Sequence, residues 1–274
     1  MLEQKFARLK KQIIRHDSLL VAFSGGVDSG LLLKVAYDLL GPRAAGCTAI
    51  SPSLSQEEKK SARNTAREIG APYFIIEYDE LSIPGYVSNN ENRCYLCKTT
   101  LFYHLKKVAS EKGFQSIAYG ANHDDLNEFR PGMHAAQKMS ISAPLLEAEL
   151  TKPEIRRLGR QLGLSIWNKP AAACLSSRIP IGSEITLQKL RQVEQAESIL
   201  HGFGFNQVRV RHHDSIARIE MMKEEFHGLL KIGIIENIVS EIKKVGFKFV
   251  VLDLEGYRPA GLVPIASLYK REDL

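Results

Sequence analysis

The N-terminal part of the chain alternates between short apolar runs and stretches in which apolar residues recur every three or four positions. The apolar runs predict buried strands at residues 19–23, 45–50, 73–78 and 115–119. The periodic stretches predict helices at residues 2–16, 29–40, 55–70, 95–112 and 151–162. Strands and helices that alternate in this way are typical of an α/β fold with a doubly wound parallel sheet.

The pattern changes in the C-terminal part of the chain. Residues 165–183 have little periodicity and contain prolines and small residues, which indicates a domain boundary. The elements predicted beyond it are a helix at 187–203, strands at 207–210 and 216–221, a helix at 231–245 and a strand at 247–254. We therefore predict an α/β domain over residues 1–180 and a smaller α+β domain over residues 181–274.

The composition is that of a globular protein suited to anionic ligands. The 274 residues carry a net charge of +6, and the pI is near 9.0. Because the basic residues are scattered, a nucleotide alone accounts for this charge, and RNA is permitted but not required. No apolar run approaches the ~20 residues of a membrane span, and the N-terminus does not resemble a signal peptide. Four cysteines do not indicate a disulfide framework, so we expect a reducing cytoplasm.

A glycine-rich loop follows the first predicted strand. Its sequence is Ser24-Gly25-Gly26-Val27-Asp28-Ser29. A loop at a strand–helix junction directs main-chain N–H groups and a helix N-terminus at one point, where a phosphate can bind. Glycine lets the main chain approach the anion, and Asp28 is placed to hold a magnesium ion. An ordinary strand–helix turn is the alternative interpretation.

The loop resembles the signature of the PP-loop ATP pyrophosphatases, which split ATP into AMP and pyrophosphate. The resemblance implies an adenine nucleotide alpha hydrolase-like fold, with the pyrophosphate of ATP held by this loop. The fourth predicted strand ends in a second polar stretch, Gly120 to Asp125, and strand ends in a parallel sheet form the ligand crevice. Adjacent acids there could serve magnesium, the alternative being a solvated loop. The predicted nucleotide-binding residues are Ala22, Phe23, Ser24, Gly25, Gly26, Val27, Asp28, Ser29, Gly120, Asn122 and Asp125.

Three of the four cysteines are candidates for chemistry. Cys94 and Cys97 form a Cys-x-x-Cys pair at a predicted helix start with basic neighbours, which favours the thiolate. Cys174 lies in an irregular segment beside hydroxyl groups and an arginine. Such thiols can hold a metal or a cluster or act as a redox pair, and the Cys-x-x-Cys spacing does not decide between these. Cys47 lies in a predicted buried strand, which indicates a packing residue.

Segments spread along the chain resemble one family in particular, the LarE-type sulfur transferases. These PP-loop enzymes build the thiocarboxylates of the nickel-pincer cofactor of lactate racemase. The matching segments are residues 127–132, 169–182, 208–212, 216–220 and 252–258. Together with the glycine-rich loop, they extend the resemblance over nearly the whole chain.

The resemblance implies that Cys174 is the sulfur centre. Some members of the family sacrifice the sulfur of this cysteine, whereas others use three cysteines to hold a 4Fe–4S cluster. Because Cys94 and Cys97 are present, the chain resembles the cluster type, in which an open iron can bind the sulfide that acts as nucleophile. A persulfide relay to Cys174 is the second interpretation, and a zinc site is the third.

The resemblance implies that the second predicted domain, residues 181–274, serves substrate binding or oligomerisation. Arg209 and Arg211 are two residues apart on a predicted strand, so their planar guanidinium groups share one face and suit a phosphate. From composition alone, this face would be a solvated strand surface. The resemblance implies that substrate is bound by Ser177, Arg178, Arg209, Arg211, Glu220 and Arg258.

The implied reaction is an ATP-dependent, AMP-forming sulfur transfer. A carboxylate of a pyridinium dicarboxylate mononucleotide attacks the α-phosphorus of ATP, and sulfide at Cys94, Cys97 and Cys174 then displaces AMP to leave a thiocarboxylate. Asp28 is expected to hold a magnesium ion that offsets the negative charge of the leaving pyrophosphate. The alternatives are a tRNA thiolase, transfer of the sulfur of Cys174 itself, and a non-catalytic nucleotide or iron–sulfur sensor. We expect a small phosphorylated substrate and a homo-oligomer, without a nucleic-acid or membrane partner.

Overall fold

A computed structural model describes residues 1–127 and 131–258. Residues 128–130, which belong to one of the matching segments, therefore lie outside the described residues. The contacts divide the chain into two units. The first comprises Met1–Ile83 and Asn92–Ala172, and the second comprises Pro84–Glu91 with the described residues from Ala173 onward.

The first unit is built on a parallel sheet. Its strands are β1 (Leu19–Ala22), β2 (Ala44–Ile50), β3 (Tyr73–Glu77) and β4 (Ser116–Tyr119). Their order is β3-β2-β1-β4, and every neighbouring pair is parallel. The chain thus moves outward from β1 to β3 and returns to the other side of β1. This reversal confirms the doubly wound sheet and places a crevice beyond the carboxyl ends of β1 and β4.

Helices cover both faces of this sheet. They are α1 (Leu2–Ile14), α2 (Val27–Leu40), α3 (Gln56–Ile69), α4 (Arg93–Lys112), α5 (Pro131–Lys138), α6 (Pro144–Glu147) and α7 (Lys152–Gln161). Leu19 and Val21 of β1 pack into an apolar cluster with α1, α2, α3 and α7. Leu20 points to the opposite face and packs with α4 and α5. In the described part of the chain, no helix has the length and apolar character that a membrane span requires.

Local signals explain where several of these helices begin and end. The Ser55 side chain accepts a hydrogen bond from the N–H of Glu58 at the start of α3, and Gly70 ends that helix in the left-handed conformation. Thr151 and Glu154 form a complete capping box at the start of α7. The sequence pattern does not predict α5 and α6, because helices of 8 and 4 residues are too short to show a period.

The second unit has a mixed sheet of three strands. β5 (Val208–His213) and β6 (Ile216–Met221) are antiparallel, whereas β7 (Phe249–Leu252) lies parallel to β6. The helices are α8 (Leu187–Gly202), α9 (Phe226–Leu229) and α10 (Ile234–Lys244). Apolar residues of α8, α10 and the sheet form one core. This is the smaller C-terminal α+β arrangement that the pattern predicts.

The segment Pro84–Glu91 belongs to the second unit although it precedes α4 of the first. Asn89 is fully buried with a positive φ of 52°, and its amide donates to the carbonyl oxygens of Ile179, Pro180 and Ser183 at 3.3, 2.7 and 3.0 Å. The Tyr86 hydroxyl lies 2.7 Å from Ser176 Oγ. These contacts hold the segment against the residues that follow Cys174, an arrangement that the sequence pattern does not predict.

Candidate active site

The glycine-rich loop connects the end of β1 to the start of α2. Gly25 has a φ of 74°, and a Cβ atom there would lie 2.7 Å from Ala62 Cα in α3. Both the left-handed conformation and the close packing therefore require glycine. Ser29 Oγ accepts from the N–H of Ser24 at 3.2 Å and donates to the Gly26 carbonyl at 3.2 Å. The serine side chains thus fix the shape of the loop.

Residues beside the loop anchor it to the sheet. Phe23 is buried, its N–H donates to the Cys47 carbonyl at 2.9 Å, and its carbonyl accepts from Thr48 Oγ1 at 2.6 Å. Ala22 ends β1, and the buried Val27 begins α2. These three predicted nucleotide-binding residues therefore hold the backbone of the loop in place.

Asp28 lies in the first turn of α2 and has two different oxygen environments. Its Oδ2 pairs with the ammonium of Lys152. Its Oδ1 is buried and has no hydrogen-bond partner among the described residues. A buried carboxylate oxygen without a partner fits a hard cation such as magnesium, which prefers oxygen ligands.

The polar stretch after β4 lies against the glycine-rich loop. A Cβ atom on Gly120 would be 2.9 Å from the main-chain nitrogen of Ser29 and 3.2 Å from Asp28 Cβ. The stretch after β4 and the first turn of α2 thus approach each other as closely as glycine allows. The structure brings together the two segments that the sequence assigns to the nucleotide.

The acids of this stretch have main-chain partners. Asp125 is buried and accepts from the N–H of Asn122 at 3.0 Å, while Asn122 Oδ1 accepts from the N–H of Asp124 at 3.0 Å. Asp124 Oδ2 accepts from the N–H of Lys152 at 2.7 Å. The stretch is therefore attached to the start of α7. A direct role for Asn122 or Asp125 at the nucleotide stays a prediction.

Cys94 and Cys97 lie in the first two turns of α4 in the first unit. Their separation of three residues places them on one side of the helix. Cys94 is exposed, and the Arg93 guanidinium lies 3.7 Å from its sulfur. Cys97 is partly buried, and its sulfur lies 3.9 Å from the Tyr78 hydroxyl. In contrast, burial raises the pKa of the Cys47 thiol to about 12, as expected for a packing residue.

Cys174 is exposed in the second unit, at the start of a short turn whose shape depends on Arg178. The Arg178 guanidinium donates to the carbonyls of Ala173 and Cys174 at 2.7 and 3.2 Å. It also forms a two-bond ion pair with Glu197 at 2.9 and 3.0 Å. Burial opposes the charge, but Glu197 outweighs it and raises the pKa of Arg178. Arg178 therefore positions the segment that carries Cys174.

Arg209 and Arg211 lie on one face of β5 and are 3% and 1% exposed, so the interpretation as a solvated surface is wrong. Arg211 forms a buried ion pair with Glu220 at 2.8 Å and donates to the Ser177 carbonyl at 2.9 Å. The Arg258 carbonyl accepts from Arg209 at 3.0 Å. Burial, together with the nearby Arg178 and Arg211, lowers the pKa of Arg209. The face thus brings Arg209 close to Arg178 and Arg211, whose charges are paired with Glu197 and Glu220.

No family model matches the chain, but several known proteins are similar to it. An uncharacterized protein of Synechocystis sp. is 43% identical over 96% of this chain and 98% of its own length. The pyridinium-3,5-bisthiocarboxylic acid mononucleotide synthase of Lactiplantibacillus plantarum is 36% identical over 87% of this chain and 86% of its own length. The chain belongs to the LarE-type family. This confirms the resemblance, and the chain is an enzyme.

More distant relatives of this LarE-type chain share only part of its length. The tRNA-specific 2-thiouridylase of Leptospira interrogans is 27% identical over 55% of this chain and 50% of its own length. Such relatives connect the parallel sheet and the glycine-rich loop to the wider PP-loop superfamily.

Sequence reasoning does not place two lysines that lie against the glycine-rich loop or its neighbour Asp28. Lys152 pairs with Asp28. Lys169 donates to the Gly25 carbonyl at 3.3 Å, to Glu58 at 2.8 Å and to Ser61 Oγ at 2.7 Å. Lys169 begins the matching segment 169–182, but neither lysine is near the loop in sequence, so no local signal places them beside it.

The thiols of the LarE-type chain fit a thiolate-bound cluster in their chemistry and exposure. Cys94, Cys97 and Cys174 are at least partly accessible to solvent, and none of them forms a disulfide. Among the described residues of either unit, no group of three or more His, Cys, Asp and Glu side chains is placed to hold a metal ion. Since Cys174 belongs to the other unit, the three-cysteine arrangement stays a prediction.

Proposed function

We propose that this LarE-type enzyme uses ATP to convert a carboxylate of a pyridinium dicarboxylate mononucleotide into a thiocarboxylate. The observation that carries the proposal is the glycine-rich loop, where Gly25 packs closely against α3 and Gly120, which follows β4, packs against Asp28 and Ser29. The similarity to the Lactiplantibacillus synthase over 87% of the chain supports the choice of substrate.

The first step is adenylation. A substrate carboxylate oxygen bonds to the α-phosphorus of ATP, and the bond between that phosphorus and the bridging oxygen breaks to release pyrophosphate. The loop N–H groups and the N-terminus of α2 stabilise the charge of the pyrophosphate. Asp28 Oδ1 would hold magnesium, which supplies further neutralisation of the phosphate charge.

The second step is sulfur transfer. A sulfur nucleophile bonds to the acyl carbon, the bond from that carbon to the AMP oxygen breaks, and AMP leaves with the electron pair. We propose that Cys94, Cys97 and Cys174 are the thiolate ligands of a 4Fe–4S cluster, which when bound would supply a transferable sulfide. A persulfide on Cys174, or loss of its own sulfur, is the competing route. The exposure of Cys174 supports its contact with substrate.

The substrate phosphate is assigned to the arginine-rich face of the second unit. Arg209 is the best candidate, because its buried guanidinium lies near those of Arg178 and Arg211, and planar guanidinium groups match the geometry of a phosphate. Arg211, Glu220 and Arg258 shape this face, while Arg178 and Ser177 connect it to Cys174. We further propose that the enzyme is cytoplasmic and homo-oligomeric.

Substrate-dependent exchange of labelled pyrophosphate into ATP tests the adenylation. Exchange should require the dicarboxylate mononucleotide, and Asp28→Asn should reduce its rate by about 10²–10³-fold, the typical loss of one electrostatic group. Asp38→Asn is the control, because Asp38 lies on the same helix in an exposed pair with Lys34. Exchange stimulated by tRNA instead would favour the thiolase, and wild-type exchange in Asp28→Asn would overturn the role of Asp28.

A further inference from the structure

The start of α7 holds Lys152 beside the nucleotide loop. The main-chain N–H of Lys152 donates to Asp124 Oδ2 at 2.7 Å. The preceding Thr151 and the following Glu154 form the capping box, and Lys5 holds the same Glu154 carboxylate at 2.9 Å. The backbone of Lys152 is therefore fixed from several sides. The contact of Lys152 with α2 is made by its side chain.

That side chain ends on Asp28. The ammonium of Lys152 pairs with Asp28 Oδ2, and the two side chains are 29% and 21% exposed. Pairs with this exposure contribute little to stability, because solvent screens them. Structural stabilisation is thus a weak explanation for a lysine at this position.

The donors and acceptors of the pair are incompletely used. An ammonium has three N–H donors, and among the described residues Asp28 Oδ2 is the one acceptor that Lys152 Nζ contacts. On the other side of the carboxylate, Oδ1 is buried and has no partner in the described part of the chain. The pair therefore offers free donors for an anion next to a free oxygen for a cation.

We propose that Lys152 is a further catalytic residue of the nucleotide site, whose ammonium binds the departing pyrophosphate of ATP. Asp28 holds the ammonium through Oδ2 and presents Oδ1 to magnesium. The proposal rests on the adenylation proposed above and deepens it by naming a second cation. No covalent bond to the lysine is involved, since its charge stabilises the oxygens that become more negative as the α–β bond breaks.

The proposal predicts that removal of the Lys152 charge changes the affinity for a divalent metal ion and the affinity for pyrophosphate in opposite directions. In the absence of nucleotide, the ammonium repels a divalent cation at Asp28, so Lys152→Met should bind manganese more tightly than the wild type. Binding of magnesium pyrophosphate should weaken by about 10- to 100-fold, because a charge-assisted hydrogen bond is lost. Binding of AMP, which lacks the β- and γ-phosphates, should not change.

Calorimetric titration of the full chain with magnesium pyrophosphate and with AMP measures these effects, and manganese binding is followed by paramagnetic resonance. Lys34→Met is the matched control, because it removes another lysine–aspartate pair that involves α2. Lys152→Arg, which keeps the charge, should recover part of the pyrophosphate affinity. The exchange rate of Lys152→Met should fall while the KM for the dicarboxylate is unchanged.

The outcomes separate this proposal from the proposed function. Equal pyrophosphate affinity in the wild type and Lys152→Met would overturn the role of Lys152 and leave adenylation standing. An equal loss of pyrophosphate and AMP affinity would show a merely structural lysine and would also overturn it. A wild-type protein that binds neither ATP nor pyrophosphate would contradict the nucleotide site itself.

Discussion

The four cysteines differ in solvent accessibility, and this difference distinguishes the packing residue Cys47 from the three cysteines that are candidates for chemistry. Cys47 is buried in β2 and belongs to the same apolar cluster as Leu20 and Phe102. Cys94 and Cys174 are exposed, and Cys97 is partly buried. Since the thiolate is the reactive form, a buried thiol with a raised pKa is inert.

Alkylation of the metal-free protein with iodoacetamide at pH 8 should therefore modify Cys94, Cys97 and Cys174 but not Cys47. Burial raises the pKa of Cys47 to about 12, so its thiolate is scarce well below that pH and increases only as the pH rises. Mass spectrometry of native and denatured samples gives the readout, with modification of all four thiols in urea as the control. Rapid native labelling of Cys47 would contradict this burial.

At the scale of elements, the 84–91 segment is held in place mainly by hydrogen bonds from one side chain and not by a helix or a strand. The Asn89 amide serves three carbonyl oxygens of residues 179–183. Main-chain bonds from Gly182 to Asn89 and from Ile185 to Val87 continue the contact. The segment is thus part of the second unit although it lies far from the rest of that unit in sequence. Its attachment depends on a few buried hydrogen bonds.

Asn89→Ala should destabilise the protein by about 2–4 kcal/mol, because it leaves buried carbonyl oxygens without this donor and strains a left-handed residue. Asn89→Gly loses the same hydrogen bonds but relieves the strain, so it should be less destabilising by roughly 1 kcal/mol. The free energy of unfolding in urea provides the measurement. Asn90→Ala, at an exposed neighbour, should change it by less than about 0.5 kcal/mol. Equal effects of alanine and glycine at residue 89 would rule out the strain.

At the scale of the whole molecule, the candidate chemistry is shared between two units. The glycine-rich loop and the Cys94–Cys97 pair belong to the first unit, whereas Cys174 and the arginine-rich face belong to the second. Since the glycine-rich loop does not contain a cysteine, the proposed adenylation and sulfur transfer should be separable by mutation.

Replacement of Cys94, Cys97 or Cys174 by alanine should abolish thiocarboxylate formation while pyrophosphate exchange stays within a few-fold of wild type. The two activities are measured on the same preparations by mass spectrometry of the product and by isotope exchange. Cys47→Ala is the control and should retain both. If Cys94→Ala and Cys97→Ala stay active while the wild type loses one sulfur from Cys174 per turnover, the sacrificial route is correct and the cluster is not needed.

The sequence by itself determined the local structure and the family. Apolar runs and periodicity predicted β1 to β4 and the longer helices, and capping residues such as Ser55 and Thr151 marked helix starts. These signals are readable because they depend on residues within one or two turns of each other. The alternation of strands and helices was then enough to predict a doubly wound sheet. The sequence motifs were enough to predict the LarE-type family.

Only the tertiary structure decided which distant side chains meet. Lys152 reaches Asp28 across 124 residues of sequence, and Lys169 reaches Gly25 across 144. The pattern of apolar and polar residues also did not predict the burial of Arg209 and Arg211. It did not predict that the 84–91 segment belongs to the second unit. Such contacts are set by the packing of whole elements around a shared core. A lysine at a helix start has the same local sequence signature whether it points into solvent or onto a carboxylate.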